Sequence, residues 1–251
     1  MQNKLIAIVP AAGVGQRAQS APDEPLPKQY RPLKGEPMLR VAVRALLAEP
    51  RISQVRVAVA PGDRWAAQAL QGLPRTIWRP CGGPSRAATV QAALRDAGLD
   101  EGGWVLVHDA ARPGLPADAL ARLVDACLER QAGGLLAVPV PDTVKQAAWA
   151  DVPAPEACIL TGGSGARAPQ QACVARATLP RDALWLAQTP QMFPAGALAR
   201  ALAQAQAAGV EVTDEASAME AAGCMPLLVP GSARNFKVTW PEDFDLMEKW
   251  L

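Results

Sequence analysis

Leu5-Ile6-Ala7-Ile8-Val9-Pro10-Ala11-Ala12-Gly13-Val14-Gly15-Gln16-Arg17 sets how the rest of the sequence is read. Five consecutive apolar residues, three of them β-branched, mark Leu5–Val9 as a strand buried on both faces. Its exit runs into small residues and two glycines. Gly13 and Gly15 let the backbone approach a ligand closely and offer amide N–H groups to phosphate oxygens. With Ala18 the stretch formally matches G-x-G-x-x-A, the dinucleotide fingerprint. That fingerprint needs a helix directly after the glycines and an acidic residue about 20 positions on, ending the second strand. Pro22, Pro25 and Pro27 preclude the helix, and the second strand runs into Pro61-Gly62. The residues therefore speak against a nicotinamide or flavin oxidoreductase.

Outward from this strand, short β-rich runs alternate with Ala/Leu-rich stretches. Strands are expected at Val55–Ala60, Thr76–Trp78, Trp104–Val107 and Leu135–Val140, with helices at Pro37–Leu47, Arg64–Leu70, from Pro84 through Leu94, and at Ala117–Arg130. Such alternation is the signature of a mostly parallel sheet covered by helices on both faces, in which ligands bind beyond the carboxyl ends of the strands. The pattern breaks between Asp142 and Trp185. Two extended arms, Val144–Ala147 and Ala172–Thr178, flank a stretch rich in Ala, Gly, Pro and Ser, and read as a projecting hairpin. Helices near Ala195–Ala208 and Asp214–Ala222 follow, then strands at Leu227–Val229 and Phe236–Thr239, and a last helix opened by Pro241-Glu242-Asp243.

Composition narrows the function classes. The chain has 251 residues, 50% of them hydrophobic, which excludes wholesale disorder and fits one large α/β domain or two small ones. Twenty-five basic residues against 24 acidic ones give a formal charge of +1, which argues against a broad nucleic-acid or membrane surface. No apolar run approaches the ~18–20 residues of a bilayer span. Met1-Gln2-Asn3-Lys4 carries no signal-peptide pattern, so a cytoplasmic address is expected. Five scattered cysteines, never in CxxC spacing, exclude a zinc knuckle and speak against a disulfide framework. The single histidine, His108, rules out a His-rich metal cage and reads as a packed strand-end residue. The chemistry falls to Lys, Arg, Asp and backbone amides.

Four clusters follow strand ends or lie in strands. Arg17 and Lys28 bracket the proline-rich loop after the first strand and suit a polyphosphate, the first as a planar fork, the second as a point charge. There is no G-x-x-x-x-G-K-[ST], so this is not a P-loop ATPase. His108-Asp109-Ala110-Ala111-Arg112-Pro113 offers Asp109 to Mg²⁺ or a polyol hydroxyl and Arg112 to an anion. Asp142-Thr143-Val144-Lys145 follows another strand, and Asn235-Phe236-Lys237-Val238-Thr239 is expected to place Lys237 inside a late strand.

Taken together, Pro10-Ala11-Ala12-Gly13-x-Gly15-x-Arg17, Pro27-Lys28-Gln29-Tyr30, His108–Pro113, Asp142-Thr143-x-Lys145, Thr189-Pro190-Gln191-x-Phe193, Thr213–Ser217 and Asn235-x-Lys237-Val238-Thr239 resemble, in order and over almost the whole chain, the 2-C-methyl-D-erythritol 4-phosphate cytidylyltransferase family of the non-mevalonate isoprenoid pathway. The resemblance implies a Rossmann-like three-layer α/β nucleotidyltransferase fold with a mostly parallel sheet and a projecting β-arm. It implies a single domain, 1–251, with a dimerisation arm at about 141–186, and hence a homodimer. It also implies cytidylyl transfer from CTP to methylerythritol phosphate with release of pyrophosphate, and Mg²⁺ or another divalent cation on the CTP phosphates, Asp109 being a candidate protein contact.

By the same resemblance, Arg17 and Lys28 clamp the phosphates and stabilise the transition state, while Arg181 and Lys237 position the sugar phosphate. Ala11, Ala12, Gly13, Gly15, Gly83, Thr89 and Ala110 fall on nucleotide contacts, and Asp109, Arg112, Thr143 and Thr189 on acceptor contacts. Three departures stand out: a longer Ala18–Pro27 loop, Pro84 where a polar residue is common, and an Ala/Gly/Pro-rich insertion in the arm. The rival within the fold is a ribitol 5-phosphate cytidylyltransferase. From other classes, the rivals are the oxidoreductase disfavoured above and a nucleotide-binding regulator without turnover, against which Arg17, Lys28 and Lys237 argue.

Overall fold

β1 (Leu5–Ala11) is buried along its length, and its side chains alternate between two separate cores. Leu5, Ala7, Val9 and Ala11 enter one; Ile6 and Ile8 enter the other, as the period of two in a strand dictates. In the computed structural model, residues 4–13, 26–152 and 170–251 are described. After β1 come a two-stranded ribbon of β2 (Pro32–Leu33) and β3 (Glu36–Pro37), then α1 (Met38–Leu47), β4 (Ile52–Val59), α2 (Ala66–Ala69), β5 (Thr76–Arg79), α3 (Arg86–Ala97), β6 (Trp104–Val107), α4 (Ala117–Arg130) and β7 (Gly134–Pro139). β8 (Val144–Val152) and β9 (Gln170–Leu179) precede β10 (Trp185–Pro194), α5 (Ala195–Ala207), α6 (Glu215–Ala221), β11 (Leu227–Pro230) and α7 (Glu242–Trp250).

The described chain divides into two compact units, one of residues up to Val138 with Ala187–Leu251, the other Pro139–Leu186. The first is built on a seven-stranded sheet in the order β11-β7-β10-β6-β1-β4-β5. β1 pairs in parallel with both β4 and β6, β4 with β5, and β11 with β7, while β10 runs antiparallel to β6. One core packs α1, α2 and α4 on a face of this sheet; the other packs α3, α5 and α6 on the opposite face. The expected three-layer α/β architecture is what these strands and helices build. From β1 the chain moves to β4 and β5 on one side and then returns to β6 on the other, so the switch point lies between β1 and β6. In the second unit, β8 and β9 form an antiparallel pair, with Lys145 opposite Thr178 and a register irregularity at Gln146/Ala147. The insertion between these strands lies outside the described residues.

Two expectations are corrected. Phe236–Thr239 is not a strand: the segment follows a 3-10 turn at Ala233–Asn235, and Val238 N–H donates to Ala111 O (2.9 Å) without extending into a ladder. Its end is instead taken up by Asp243, whose carboxylate accepts from Thr239 N–H (2.6 Å) and Trp240 N–H (2.8 Å) before α7. Lys237 therefore projects from an extended loop. Conversely, β10 was not expected, because Gln188-Thr189-Pro190-Gln191 does not read as a buried run, yet Gln188, Thr189 and Gln191 are all buried. Their side chains are satisfied by hydrogen bonds rather than excluded from the interior.

Candidate active site

At the carboxyl edge of the sheet, beside the switch point, lies a cavity of about 440 Å³, a size typical of small-ligand sites. The exit of β1 lines it with Ala11, Ala12 and Gly13; the loop after β5 supplies Gly83, Pro84 and Ser85; the exit of β6 supplies Asp109, Ala110 and Ala111. Lys28, Gln29, Arg86, Thr89 and Lys237 complete the wall. Of the expected site residues, Lys28, Lys237, Ala11, Ala12, Gly13, Gly83, Thr89, Asp109 and Ala110 are thus brought together. Thr189 and Arg112 are neighbours of Asp109 rather than lining residues. Thr143 and Arg181 belong to the Pro139–Leu186 unit, where the Arg181 guanidinium donates to Pro141 O. Gly15 and Arg17 lie outside the described residues.

Local chemistry explains how each wall is held. Gln29 Nε2 donates to Ala11 O (2.8 Å), fixing the end of β1, and Lys28 Nζ donates to Val238 O (2.7 Å), tying the Lys28–Tyr30 turn to the loop that carries Lys237. Thr89 is buried and its hydroxyl is used twice: it accepts from Gly83 N–H (3.0 Å) and donates to Ser85 O (2.9 Å). It shapes the Gly83 loop, whose Ser85 caps α3 by accepting from Ala88 N–H. A Cβ on Gly82 would lie 2.3 Å from Ala12 Cβ, so the loop after β5 packs against the exit of β1 only because that residue is glycine.

Asp109 is the electrostatic centre. Its Oδ1 accepts from Arg86 Nε (3.0 Å) and its Oδ2 from Lys237 Nζ (2.9 Å), with Arg112 Nε 3.7 Å away. Burial works to raise its pKa, but Arg86, Lys237 and Arg112 outweigh burial and hold the carboxyl well below the usual range. Asp109 N–H donates to Thr189 Oγ1 (2.9 Å), and the Thr189 hydroxyl lies 3.1 Å from His108 Nδ1. His108 Nε2 is 3.0 Å from Arg112 O, a partner that can only accept, so the proton resides on Nε2 and Nδ1 accepts from Thr189. The fully buried imidazole is pushed down to about 4, mainly by desolvation. His108 is a structural residue that orients Thr189 and the Asp109–Arg112 turn, in keeping with its reading as a packed strand end.

Sequence reasoning missed Arg86 and gave Glu215 no role beyond its place in the Thr213–Ser217 motif. Arg86 is the first residue of α3, and its terminal nitrogens donate to Glu215 Oε1 (2.7 Å) and Oε2 (2.9 Å). Burial lowers the tendency of Arg86 to hold its proton, but Glu215 and Asp109 more than offset it. The available signal was a cation at a helix N-terminus, where the peptide dipoles disfavour positive charge.

Each Asp109 oxygen accepts from a cationic donor, so a divalent cation in direct contact with it would sit against the positive charges of Arg86 and Lys237. Among the described residues, no group of three or more His, Cys, Asp or Glu is placed to hold a metal.

Phosphates carry the charge that lysines on such walls accommodate, and a sheet wound in this order presents nucleotides at this edge. In class, the fold and cavity define an α/β protein with a small-ligand site at its sheet edge. The protein-family model for IspD, 2-C-methyl-D-erythritol 4-phosphate cytidylyltransferase, matches residues 5–154 and 165–251. A Bordetella petrii protein named 2-C-methyl-D-erythritol 4-phosphate cytidylyltransferase is 65% identical over 251 residues, all of both chains. Among solved structures, a 4-diphosphocytidyl-2C-methyl-D-erythritol synthase is similar with a TM-score of 0.77 and 35% identity, covering 100% of this chain and 99% of that one. The Francisella tularensis 2-C-methyl-D-erythritol 4-phosphate cytidylyltransferase is similar with a TM-score of 0.75 and 29% identity, covering 99% and 100%. The chain belongs to the 2-C-methyl-D-erythritol 4-phosphate cytidylyltransferase family.

Proposed function

We infer that this protein transfers a cytidylyl group from CTP to 2-C-methyl-D-erythritol 4-phosphate, releasing pyrophosphate, within non-mevalonate isoprenoid precursor synthesis. The observation that carries the reading is the convergence of Lys28, Asp109 and Lys237, from three separate motifs of the family, on one cavity. The family match and the names of the relatives favour methylerythritol phosphate over ribitol 5-phosphate as acceptor.

The nucleophile is an oxygen of the acceptor phosphate, largely ionised at neutral pH because its second pKa lies near 6. No protein base is required. The protein supplies in-line placement and positive charge where negative charge accumulates on the α-phosphate and the departing pyrophosphate. Lys28 takes the triphosphate side, together with Arg17, and Lys237 takes the acceptor phosphate, together with Arg181. The backbone of Ala11–Gly13 and of the Gly83–Ser85 loop receives the nucleotide, Asp109 and Thr143 the acceptor hydroxyls. Mg²⁺ or another divalent cation, bound on the CTP phosphates, would supply charge neutralisation there.

The arm is proposed to join two copies of the chain into a homodimer, with Thr143 and Arg181 serving the neighbour's site. The antiparallel β8–β9 pair, with Trp149 75% exposed, supports this. Sedimentation of a fully active monomer would refute it. A cytoplasmic location suits substrates that are charged phosphate esters, which do not cross bilayers unaided. Pyrophosphate release assayed with CTP and Mg²⁺ against each acceptor in parallel tests the activity. Turnover with methylerythritol phosphate is expected; turnover with ribitol 5-phosphate alone would reverse the assignment.

A further inference from the structure

Glu215 is 1% exposed, with burial pushing its carboxyl pKa up against the opposing pull of Arg86, and has no part in the mechanism above. Both of its oxygens face one partner, Arg86, in the parallel two-bond geometry that only a guanidinium provides. The remaining Nε edge of Arg86 meets Asp109 Oδ1. We propose that Arg86 and Glu215 are positioning residues, a buried strut that fixes the Asp109 carboxylate and through it the ammonium of Lys237, and so governs use of the acceptor phosphate. The inference rests on the cytidylyltransferase reading and names two residues that reading leaves without a task.

The strut is anchored at its far end. Asp214 and Ser217 form a capping box at the start of α6, immediately beside Glu215. Gln191 of β10 grips the same turn twice: its Oε1 accepts from Ala216 N–H (2.7 Å) and its Nε2 donates to Asp214 Oδ2 (2.8 Å). Two residues earlier in β10, Thr189 Oγ1 accepts from the backbone of Asp109. A closed circuit results, from Asp109 through Arg86, Glu215, the α6 turn and β10 back to Asp109. Its carboxylate is held from one side and its peptide from the other.

Charge explains why the circuit needs both members. Arg86, Arg112 and Lys237 surround Asp109, and Glu215 supplies the second negative group on the far side of Arg86. Without it, the guanidinium is drawn wholly to Asp109 and competes for the oxygen that holds Lys237. Lys237 is the exposed end of the array, 40% accessible at its side chain, where an incoming phosphate can take over its charge.

A double-mutant cycle tests this, with kcat and KM for methylerythritol phosphate measured at saturating CTP. Glu215→Gln is expected to lower kcat/KM for the acceptor about tenfold to fiftyfold, and, introduced into Asp109→Asn, to lower it less than about threefold further. CTP affinity by calorimetry stays within about threefold of the parent. Arg86→Lys keeps the charge but not the fork and is expected to show the same loss and the same non-additivity; it carries the comparison if Glu215→Gln does not fold. Losses that multiply in the double variants, or an acceptor kcat/KM unchanged beside a lowered melting temperature, overturn the proposal. An inactive parent protein would overturn the functional reading first, whereas an active parent with multiplying losses overturns this inference alone.

Discussion

Lys237 Nζ lies 2.9 Å from Asp109 Oδ2 across 128 residues of chain, so the cation assigned to the acceptor phosphate is already held by a carboxylate before substrate arrives. That carboxylate is in turn pinned by Arg86 and by the hydrogen bond of its own N–H to Thr189. Pre-orientation of this kind lowers the reorganisation needed when charge develops. Because the Lys237 side chain is partly exposed, its pair with Asp109 adds little to folding.

Lys237→Ala is therefore expected to lower kcat/KM for methylerythritol phosphate by on the order of 10²–10³, the loss seen when one preorganised charge-stabilising donor is removed. The melting temperature changes little. Steady-state pyrophosphate release with the acceptor varied, alongside a thermal melt, checks both halves; an unimpaired acceptor kcat/KM would remove Lys237 from the site.

Two glycines at the exit of β1, Gly13 lining the cavity and Gly82 packed against Ala12, are expected to respond oppositely to a methyl group. At Gly82 an added Cβ meets Ala12 Cβ at 2.3 Å and Val59 O at 2.8 Å, so Gly82→Ala should destabilise the fold by about 1–3 kcal/mol. At Gly13 nothing lies within 4 Å, so Gly13→Ala should leave stability unchanged. In the proposed complex its methyl group stands where the nucleotide approaches the β1 exit, and CTP affinity is expected to fall about tenfold, a loss of about 1.4 kcal/mol. Urea unfolding and calorimetric titration with CTP separate the two effects.

His108 gives the fold an acid limb. Its folded pKa is depressed to about 4 from an ordinary 6.5, so the unfolded chain takes up the proton first as pH falls. The stability conferred by the neutral imidazole is complete above pH 6.5 and is lost between 6.5 and 4, by as much as about 3 kcal/mol. Asp109, also depressed, adds its own loss only below its ordinary value of 3.8. His108→Gln should be less stable than the parent at pH 7, with the gap narrowing toward pH 5. Parallel urea midpoints at the two pH values measure it; a constant gap would show that His108 does not titrate in this window.

Much of this was legible in the sequence, for physical reasons. Leu5–Val9 and Trp104–Val107 announce themselves because strands buried on both faces must be apolar throughout. Gly13 and Asp109 could be picked out because each follows an unmistakable strand, and Lys28 because it closes the proline-rich loop after the first of them. What escaped was non-local. β10 buries Gln188, Thr189 and Gln191, which only make sense once Asp214, Ser232 and Asp109 are seen to bond them. Phe236–Thr239 reads locally as a strand carrying Lys237; the hydrogen bonds of Thr239 and Trp240 to Asp243, ahead of the last helix, take its end out of any ladder. Arg86 and Glu215 stand 129 residues apart, and no local rule couples an arginine at one helix start to a glutamate at another.

The central claim is that phosphorus passes directly between two anions, with no bond to the protein on the way. Configuration at the α-phosphorus tests it most directly. With one diastereomer of CTP carrying sulfur on the α-phosphate, a single in-line displacement by methylerythritol phosphate gives a product of inverted configuration. Retention would mean two displacements and a cytidylylated side chain between them, and would contradict the account.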